Sequence, residues 1–216
     1  TTTEYKKLSH ALSGKGACAL FGLPASGRAQ VYAALCRQLD KPLCIVTPGE
    51  AEATRFAADL NTLGIPAAVF PARDYVLRPI EGTAREYEYR RLAVLGELVG
   101  GRLRAVAVPA EALTQFTTPK EDFCANTRTL HAGDTLLRDD LLAALFGAGY
   151  TRRAQVDGPG QFSVRGDIVD IFAPDQKMPV RMEFWGDEID TLHTFDLTTQ
   201  RREDAIDKFY LSPARE

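Results

Sequence analysis

The sequence predicts an α/β protein in two parts: a parallel β-sheet covered by helices, followed by a small, mostly antiparallel α+β domain. Two observations support this fold class. Over the first 125 residues, short apolar runs alternate with amphipathic helical patterns, which is typical of a parallel sheet. From about residue 126, one short helical pattern is followed by short strands between turn residues, which is typical of an antiparallel sheet.

Composition and charge agree with two folded parts. The 216 residues are 45% hydrophobic and 25% charged, as in ordinary globular proteins, and the net charge of −3 does not indicate a nucleic-acid-binding surface. Residues 1–125 carry 15 Lys and Arg against 13 Asp and Glu, whereas residues 126–216 carry 11 against 16. We therefore predict domains at 1–125 and 126–211, with residues 212–216 starting a return to the first domain.

The elements of the first part follow from apolar runs and helical spacing. Strands are predicted at residues 17–21, 42–47, 67–70 and 105–108, and helices at 27–39, 50–63 and 84–99. The clearest helix is 50–63, which places four apolar residues on one face, namely Ala53, Phe56, Ala57 and Leu60. Gly64 is its predicted stop, and Glu111 is expected in the first turn of a further helix.

The second part contains one predicted helix, at residues 139–146, and then a series of turn signals. These signals lie at residues 157–160, 165–167, 173–175, 186–187 and 198–200. Gly186-Asp187 is predicted to be a tight hairpin turn, because alternating strand patterns flank it on both sides.

A glycine motif lies between the first predicted strand and the first predicted helix. Gly22 and Gly27 match the glycines of the phosphate-binding loop G-x-x-x-x-G-K-[ST] in its usual context. Arg28 replaces the Lys that contacts phosphate, and Ala29 replaces the hydroxyl that holds Mg²⁺. The motif therefore predicts a degenerate P-loop NTPase fold that hydrolyses nothing and holds no cofactor.

Two other interpretations of this motif stay open at the level of sequence. The glycines could simply turn a strand into a helix, since short glycine motifs match by chance. An active nucleotide site would instead require Arg28 and Ala29 to be tolerated variants. No acidic residue directly follows the strand at 105–108, so a helicase-type Walker B carboxylate is not evident.

Alternation sorts the strand residues of the second part into two faces. Val180, Met182 and Phe184 are predicted to point inward, and on another strand Phe162 and Val164 are predicted to share one face, opposite Ser163 and Arg165. The opposite face carries Arg165, Arg181, Glu183 and Trp185, of which Arg165, Arg181 and Trp185 are predicted to be exposed. With Asp170, these are the candidate partner-binding residues.

Trp and Arg are the types most enriched in interface hot spots, which favours a partner surface on this exposed face. The alternative is that Trp185 packs against the α/β domain while Arg181 only pairs with Glu183 on its own face.

Cysteines and histidines indicate neither disulfides nor a metal site. The cysteines form no C-x-x-C pair, and three lie in apolar runs, so we predict buried, reduced thiols of a cytoplasmic protein at Cys18, Cys36, Cys44 and Cys124. The histidines lack metal-ligand spacing; they are His10, His131 and His193. No apolar stretch approaches the roughly 20 residues of a membrane span. Because the chain starts at Thr1 without Met, we expect a piece of a longer protein.

Several of these strand residues also carry a resemblance to known proteins. The runs 165–172 and 181–190, with Phe195-Asp196, resemble the R-G-x-x-x-D-[IL]-F … R-[IL]-[ED]-[FL]-[FW]-x-[DE]-E-I-[DE] … F-D pattern of bacterial nucleotide-excision repair. Two families share it: UvrB-type damage-verifying helicases, and the N-terminal UvrB-homology region of transcription-repair coupling factors (Mfd). UvrB-type proteins have an intact phosphate loop and a long Tyr-rich β-hairpin. The degenerate loop here, and only about ten loop residues after Phe70, resemble the coupling factors.

The resemblance implies a non-catalytic adaptor whose second domain binds UvrA. On this basis Arg165 and Arg181 match the partner-binding arginines of the family, and Trp185 stands where Phe is common. Asp170 and Glu183 are expected to hold the arginines extended. The ATP-driven translocase motor, the RNA polymerase contact and DNA binding are expected in regions outside this chain, with no role for a membrane.

Two alternatives to this interpretation belong to other classes. The first is a UvrB-like, ATP-dependent enzyme that verifies DNA damage and tolerates Arg28 and Ala29. The second is an unrelated α/β fold that matches the phosphate loop and the hairpin by chance. Mg²⁺-dependent nucleotide binding separates the enzyme from the adaptor.

Overall fold

The computed structural model describes residues 3–13, 17–39, 41–73 and 83–216. Its helices are α1 (Thr3–Ser13), α2 (Ala25–Gln38), α3 (Glu50–Thr62), α4 (Thr83–Val99), α5 (Ala110–Leu113), α6 (Lys120–Ala125) and α7 (Arg138–Gly147). Its strands are β1 (Leu43–Thr47), β2 (Ala67–Val69), β3 (Ala105–Pro109), β4 (Arg128–His131), β5 (Thr151–Arg152), β6 (Gln161–Arg165), β7 (Ile168–Phe172), β8 (Val180–Trp185), β9 (Glu188–Phe195), β10 (Arg202–Ala205) and β11 (Lys208–Leu211). None of the helices in these ranges is both long and apolar enough to cross a membrane.

Contacts divide the chain into two compact units, residues 1–72 with 100–114, and residues 73–99 with 115–216. Helix α4 groups with the second unit, although the sequence places it in the first predicted domain. Within this unit the buried Arg91 of α4 donates to Glu216 through Nε at 2.6 Å and Nη2 at 2.9 Å. The limits near residues 125 and 211 therefore stay a prediction.

The first unit is built on a parallel sheet of order β1-β3-β2, which confirms the predicted parallel pairing. The apolar strand β3 lies in the centre and is buried at all five positions. Helix α3 packs on the sheet with the predicted face, since its buried residues are Ala53, Phe56, Ala57 and Leu60. Gly64 follows this helix with φ +73, a left-handed conformation that suits a helix stop.

The prediction of a strand at residues 17–21 is wrong. These residues form no strand and are exposed, with Phe21 at 89%. An apolar run becomes a strand only where a neighbouring strand accepts its backbone hydrogen bonds, and β1 pairs on one side only, with β3. The sheet is also not covered on both faces at β1, where Cys44 and Val46 are exposed.

Without that strand, the glycine motif has only part of the context expected for a phosphate loop. Gly22 adopts φ +80, and α2 begins three residues later. The Arg28 guanidinium lies 3.5 Å from Glu52 and 5.6 Å from the centre of the Phe56 ring, so it packs against α3. Ala29 is buried at 3% exposure. The degenerate P-loop type of this unit stays a prediction.

Two further sequence predictions concern the burial of the cysteines and the absence of a long hairpin after Phe70. All four cysteines are free, but only Cys36 is buried, so the prediction of buried thiols is wrong for Cys18, Cys44 and Cys124. Cys44 lies on the exposed face of β1, and Cys124 follows the buried Phe123 on the outer side of α6. The predicted absence of a long hairpin after Phe70 concerns residues 74–82, which lie outside the described residues.

The second unit contains a six-stranded sheet of order β10-β9-β8-β7-β6-β5, antiparallel except for the β5–β6 pair. The turn Gly186-Asp187 joins β8 to β9, as predicted, with Gly186 at φ +62. A separate two-stranded sheet pairs β4 with β11, and Arg128 lies opposite Leu211.

The core of this unit lies on one face of the six-stranded sheet, against α7. The predicted inward residues Val180, Met182 and Phe184 belong to it, and so does Phe162, which shares its face with Val164 at the margin of the core. Period-two alternation therefore assigned the core face correctly. The opposite face carries the candidate partner-binding residues.

The first testable prediction concerns Phe184, which is 6% exposed in this core. We expect Phe184→Ala to lower the free energy of unfolding by about 3–5 kcal/mol, because it removes a buried aromatic ring and leaves a cavity. Urea denaturation followed by circular dichroism measures this. The matched control is Phe116→Ala, since Phe116 is 92% exposed and should change stability by less than about 0.5 kcal/mol. Equal effects of the two substitutions would contradict the assignment of the core.

Candidate partner-binding site

Strand register brings four polar residues into one row across the face opposite the core. Ser163 of β6 lies opposite Asp170 of β7, which lies opposite Arg181 of β8, which in turn lies opposite His193 of β9. Because residues paired across neighbouring strands point to the same side of the sheet, these four side chains share one face. Asp170 and Arg181 are thus direct cross-strand neighbours of opposite charge.

Asp170 is the centre of this row. Its carboxylate is 1% exposed and accepts hydrogen bonds from two arginines. Arg181 donates from Nε to Oδ1 at 2.7 Å and from Nη2 to Oδ2 at 3.0 Å, and Arg165 donates from Nη2 to Oδ2 at 2.7 Å. A buried carboxylate needs such partners, because an uncompensated charge out of water is costly.

Arg181 is enclosed on several sides. Its guanidinium lies 4.7 Å from the centre of the Phe195 ring, and its Nη1 donates to the Gln200 carbonyl oxygen at 3.2 Å. The hydrogen bonds to Asp170 are the main cause that raises the pKa of Arg181. The arginine is therefore a fixed cation within the unit.

The prediction that Arg181 is exposed is wrong, since it is 8% exposed. The reason is a second, smaller apolar cluster on the polar face, formed by Val156, Phe172 and Phe195 with Leu197 packed against it. The segment 196–201 covers Arg181 from this side, as the Gln200 bond shows. Alternation predicts which face a side chain takes but not whether a loop covers that face.

Arg165 and Trp185 remain accessible. The Arg165 side chain is 48% exposed although its guanidinium is anchored on Asp170, and Trp185 is 82% exposed. Within the second unit Trp185 is exposed, as predicted, and its packing against the α/β domain, the alternative to a partner surface, stays a prediction.

Glu183 has a different partner from the one predicted. Arg202 of β10 forms an ion pair with its carboxylate, and the Thr191 hydroxyl donates to Oε2 at 3.4 Å. Arg181, for which pairing with Glu183 was the alternative, bonds to Asp170 instead. Of the two carboxylates expected to hold the arginines, Asp170 bonds to both Arg165 and Arg181, whereas Glu183 pairs with Arg202. That this arrangement serves partner binding stays a prediction.

Sequence reasoning missed Arg202 and His193, which complete this face. An uninterrupted two-residue hairpin would place Leu192 opposite Arg181, but a register shift between Glu183 and Phe184 places His193 there instead. Nothing in the local sequence marks that bulge. The Nδ1 of His193 and the Oγ of Ser163 are buried and lack a hydrogen-bond partner among the described residues.

On the polar face, Arg165 and Arg181 pair with Asp170, and Arg202 pairs with Glu183. The accessible part of this face combines one large aromatic side chain with half-exposed guanidinium groups. From strand spacing, the Cα atoms of Arg165 and Trp185 lie about 12 Å apart, so one partner surface can contact both residues.

Comparison with known proteins gives a consistent set of relatives. The family model described as the UvrB interaction domain matches residues 129–216. The transcription-repair-coupling factor of Bacillus subtilis is 29% identical over 199 residues, 91% of this chain and 17% of that protein. The proteins of the same name from Mycobacterium bovis and Myxococcus xanthus are 38% and 34% identical, over 85% and 90% of this chain. The chain spans only 15% and 17% of these two relatives.

The second testable prediction separates the two arginines that bind Asp170. We expect Arg181→Ala to lower the free energy of unfolding by about 3–5 kcal/mol, because it leaves a buried carboxylate short of its main partner. Arg165→Ala should cost about 1 kcal/mol or less, since Arg165 is half exposed and the Arg181 bonds remain. Urea denaturation of both variants provides the test. A loss of stability for Arg165→Ala as large as that for Arg181→Ala would contradict the assignment of Arg181 as the main partner of Asp170.

Proposed function

We propose that the second unit recruits UvrA, because residues 129–216 match the family model of the UvrB interaction domain and the chain is similar to transcription-repair-coupling factors. In this role the chain is an adaptor of transcription-coupled nucleotide-excision repair. The observation that carries the proposal is the accessible pair of Trp185 and Arg165 on the polar face.

The exposure of Trp185 supports a contact role. A tryptophan that is 82% exposed adds nothing to the core, and its apolar ring stays in unfavourable contact with water until a partner covers it. Tryptophan and arginine also dominate the energetics of protein interfaces. A partner surface with an apolar pocket and an acidic group beside it would complement both residues.

Arg165 is prepared for such a contact by Asp170. The carboxylate fixes one Nη atom of Arg165, which leaves the remaining N–H groups directed to solvent. Since the side chain is already ordered, association loses less conformational entropy than it would with a free arginine.

In this proposal, Arg181, Asp170 and Glu183 act beneath the contact surface. Arg181 neutralises Asp170 and keeps the carboxylate oriented toward Arg165, and its own side chain is only 10% exposed. Glu183 orients Arg202, whose side chain is 47% exposed at the same face. Changes at Arg181 and Asp170 should therefore weaken partner binding through the position of Arg165.

We also propose that the chain is not catalytic and that its first unit is a degenerate P-loop fold. The support is chemical: Ala29 has no hydroxyl for Mg²⁺, and the Arg28 guanidinium lies against Glu52 and Phe56 of α3. A UvrB-like enzyme would need both positions for nucleotide. Contacts with RNA polymerase and DNA are proposed for other regions of the full-length protein, since the relatives are far longer than this chain.

The third testable prediction concerns UvrA affinity. We expect Trp185→Ala and Arg165→Ala each to weaken binding of purified UvrA by about 1–4 kcal/mol, the usual range for an interface hot spot. Calorimetry with this chain measures the affinity, and thermal melts should show that folding is retained. Matched controls are Phe116→Ala, another exposed aromatic, and Arg152→Ala, another exposed arginine. The assignment fails if the controls weaken UvrA binding as much as Trp185→Ala and Arg165→Ala do.

The fourth testable prediction concerns nucleotide. We expect no Mg²⁺-dependent ATP binding and no ATP hydrolysis, because positions 28 and 29 lack the lysine and the metal-ligating hydroxyl. Calorimetric titration with ATP in the presence and absence of Mg²⁺ provides the measurement. A micromolar dissociation constant that requires Mg²⁺ would favour the UvrB-like enzyme.

A further inference from the structure

A cleft of about 680 Å³ lies within the second unit, between α4 and the segment that links β5 to β6. One wall consists of successive turns of α4, including Arg85, Tyr89 and Ala93. The other wall includes Arg153 of the linking segment and Gln161 of β6. The size is that of sites that enclose small ligands.

The walls of this cleft are fixed by local packing. Gly160 adopts φ +72, and a Cβ at this position would lie 2.3 Å from the Tyr89 hydroxyl, so the loop backbone packs closely on that ring. Arg85 donates from Nη1 to the Thr151 hydroxyl at 3.0 Å, which joins the two walls. The Gln161 side chain accepts from the Asp157 backbone N–H at 3.0 Å and closes the loop on itself.

The charge of the cleft is positive. Three arginines line it, Arg85, Arg90 and Arg153, against the two carboxylates Glu86 and Asp157. Among the described residues, no carboxylate lies within ion-pair distance of Arg85 or Arg153, although both acidic side chains are in the same cleft. Two guanidinium groups from opposite walls therefore keep most of their N–H donors available.

We propose that this cleft binds a phosphate-bearing small molecule, a role that goes beyond the recruitment of UvrA. A phosphate offers several strong acceptor oxygens, and guanidinium forks bind phosphate oxygens in pairs. Arg85 and Arg153 belong to different walls, so a phosphate-bearing ligand in the cleft meets a guanidinium group from each wall. The Tyr89 ring and the neighbouring Pro159 and Pro174 give the apolar surface against which the rest of such a ligand lies.

Pyrophosphate is the probe for the test, titrated into the intact chain in a buffer with EDTA. Saturable binding is expected, weakened at least tenfold by Arg153→Gln and by Arg85→Gln. Arg153→Gln leaves the Arg85–Thr151 bond in place, so it reports on binding even if Arg85→Gln loosens the walls. Asp157→Asn should tighten binding several-fold, because it removes an opposing charge from the cleft. In heteronuclear NMR the largest shifts should fall on the amides of Gly158 and Gln161.

The control is Arg152→Gln, which makes the same charge change one residue away on β5 and does not line the cleft. Pyrophosphate binding should survive it unchanged, and also survive Arg28→Gln in the glycine motif. Loss of binding with Arg152→Gln would identify a general attraction to positive charge and overturn the proposal. So would loss with Arg28→Gln alone, or no saturable binding at millimolar pyrophosphate.

Two further titrations identify the source of the phosphate. ATP without Mg²⁺ represents a free nucleotide, and a ten-residue oligothymidylate represents a nucleic-acid backbone. Weakening by Arg153→Gln with either ligand supports the site, and tighter binding of ATP assigns it to a small molecule. If only the oligonucleotide binds, the small-molecule assignment is wrong. UvrA affinity measured on the same variants should not change, which separates failure here from failure of the adaptor proposal.

Discussion

A single buried carboxylate, that of Asp170, determines how the polar face of the second unit is built. A charge at 1% exposure requires compensation from within the protein, and two arginines on neighbouring strands supply it. Strands β6, β7 and β8 therefore each have one residue whose position is fixed by these ion pairs, in addition to the apolar residues that face the core. The ion pairs and the core thus specify the same register, and a slip by one residue would disrupt both at once.

The two arginines share one carboxylate but differ in environment, and this difference divides their roles. Arg181 lies under a loop, against the Phe195 ring, where its hydrogen bonds act within a medium less polar than water. Arg165 binds the same group from the solvent side. An exposed arginine is thereby held by a structural carboxylate, so in the proposed contact a partner meets a guanidinium that has few alternative conformations. In an adaptor such order favours specificity, since a wrongly shaped partner cannot reposition the cation.

The parts of the fold that depend on local pattern were predictable from sequence, and those that depend on distant partners were not. Helix α3 and the inward residues of β6 and β8 follow from periods of 3.6 and 2, which any short segment displays by itself. The run at 17–21 has the composition of a strand, yet a strand also needs a neighbour that the run cannot specify. The depth of Arg181 depends on residues 196–201, and the position of His193 depends on a bulge. The exposure of Trp185 was predictable because this residue follows the strand alternation and, unlike Arg181, is not covered by the segment 196–201.

The pairing of β4 with β11 has a consequence for how this unit relates to the longer proteins it resembles. Arg128 and Leu211 lie opposite each other in an antiparallel ladder, so the chain enters and leaves the β-rich region within about 5 Å. A region whose ends meet occupies one point of its host, as an inserted loop does. Such a region is suited to transfer between proteins. When it is removed, a short linker between the two flanking residues keeps the host chain continuous, and a new host accepts it at one surface turn. A binding surface carried on such an insert moves with it from one host to another.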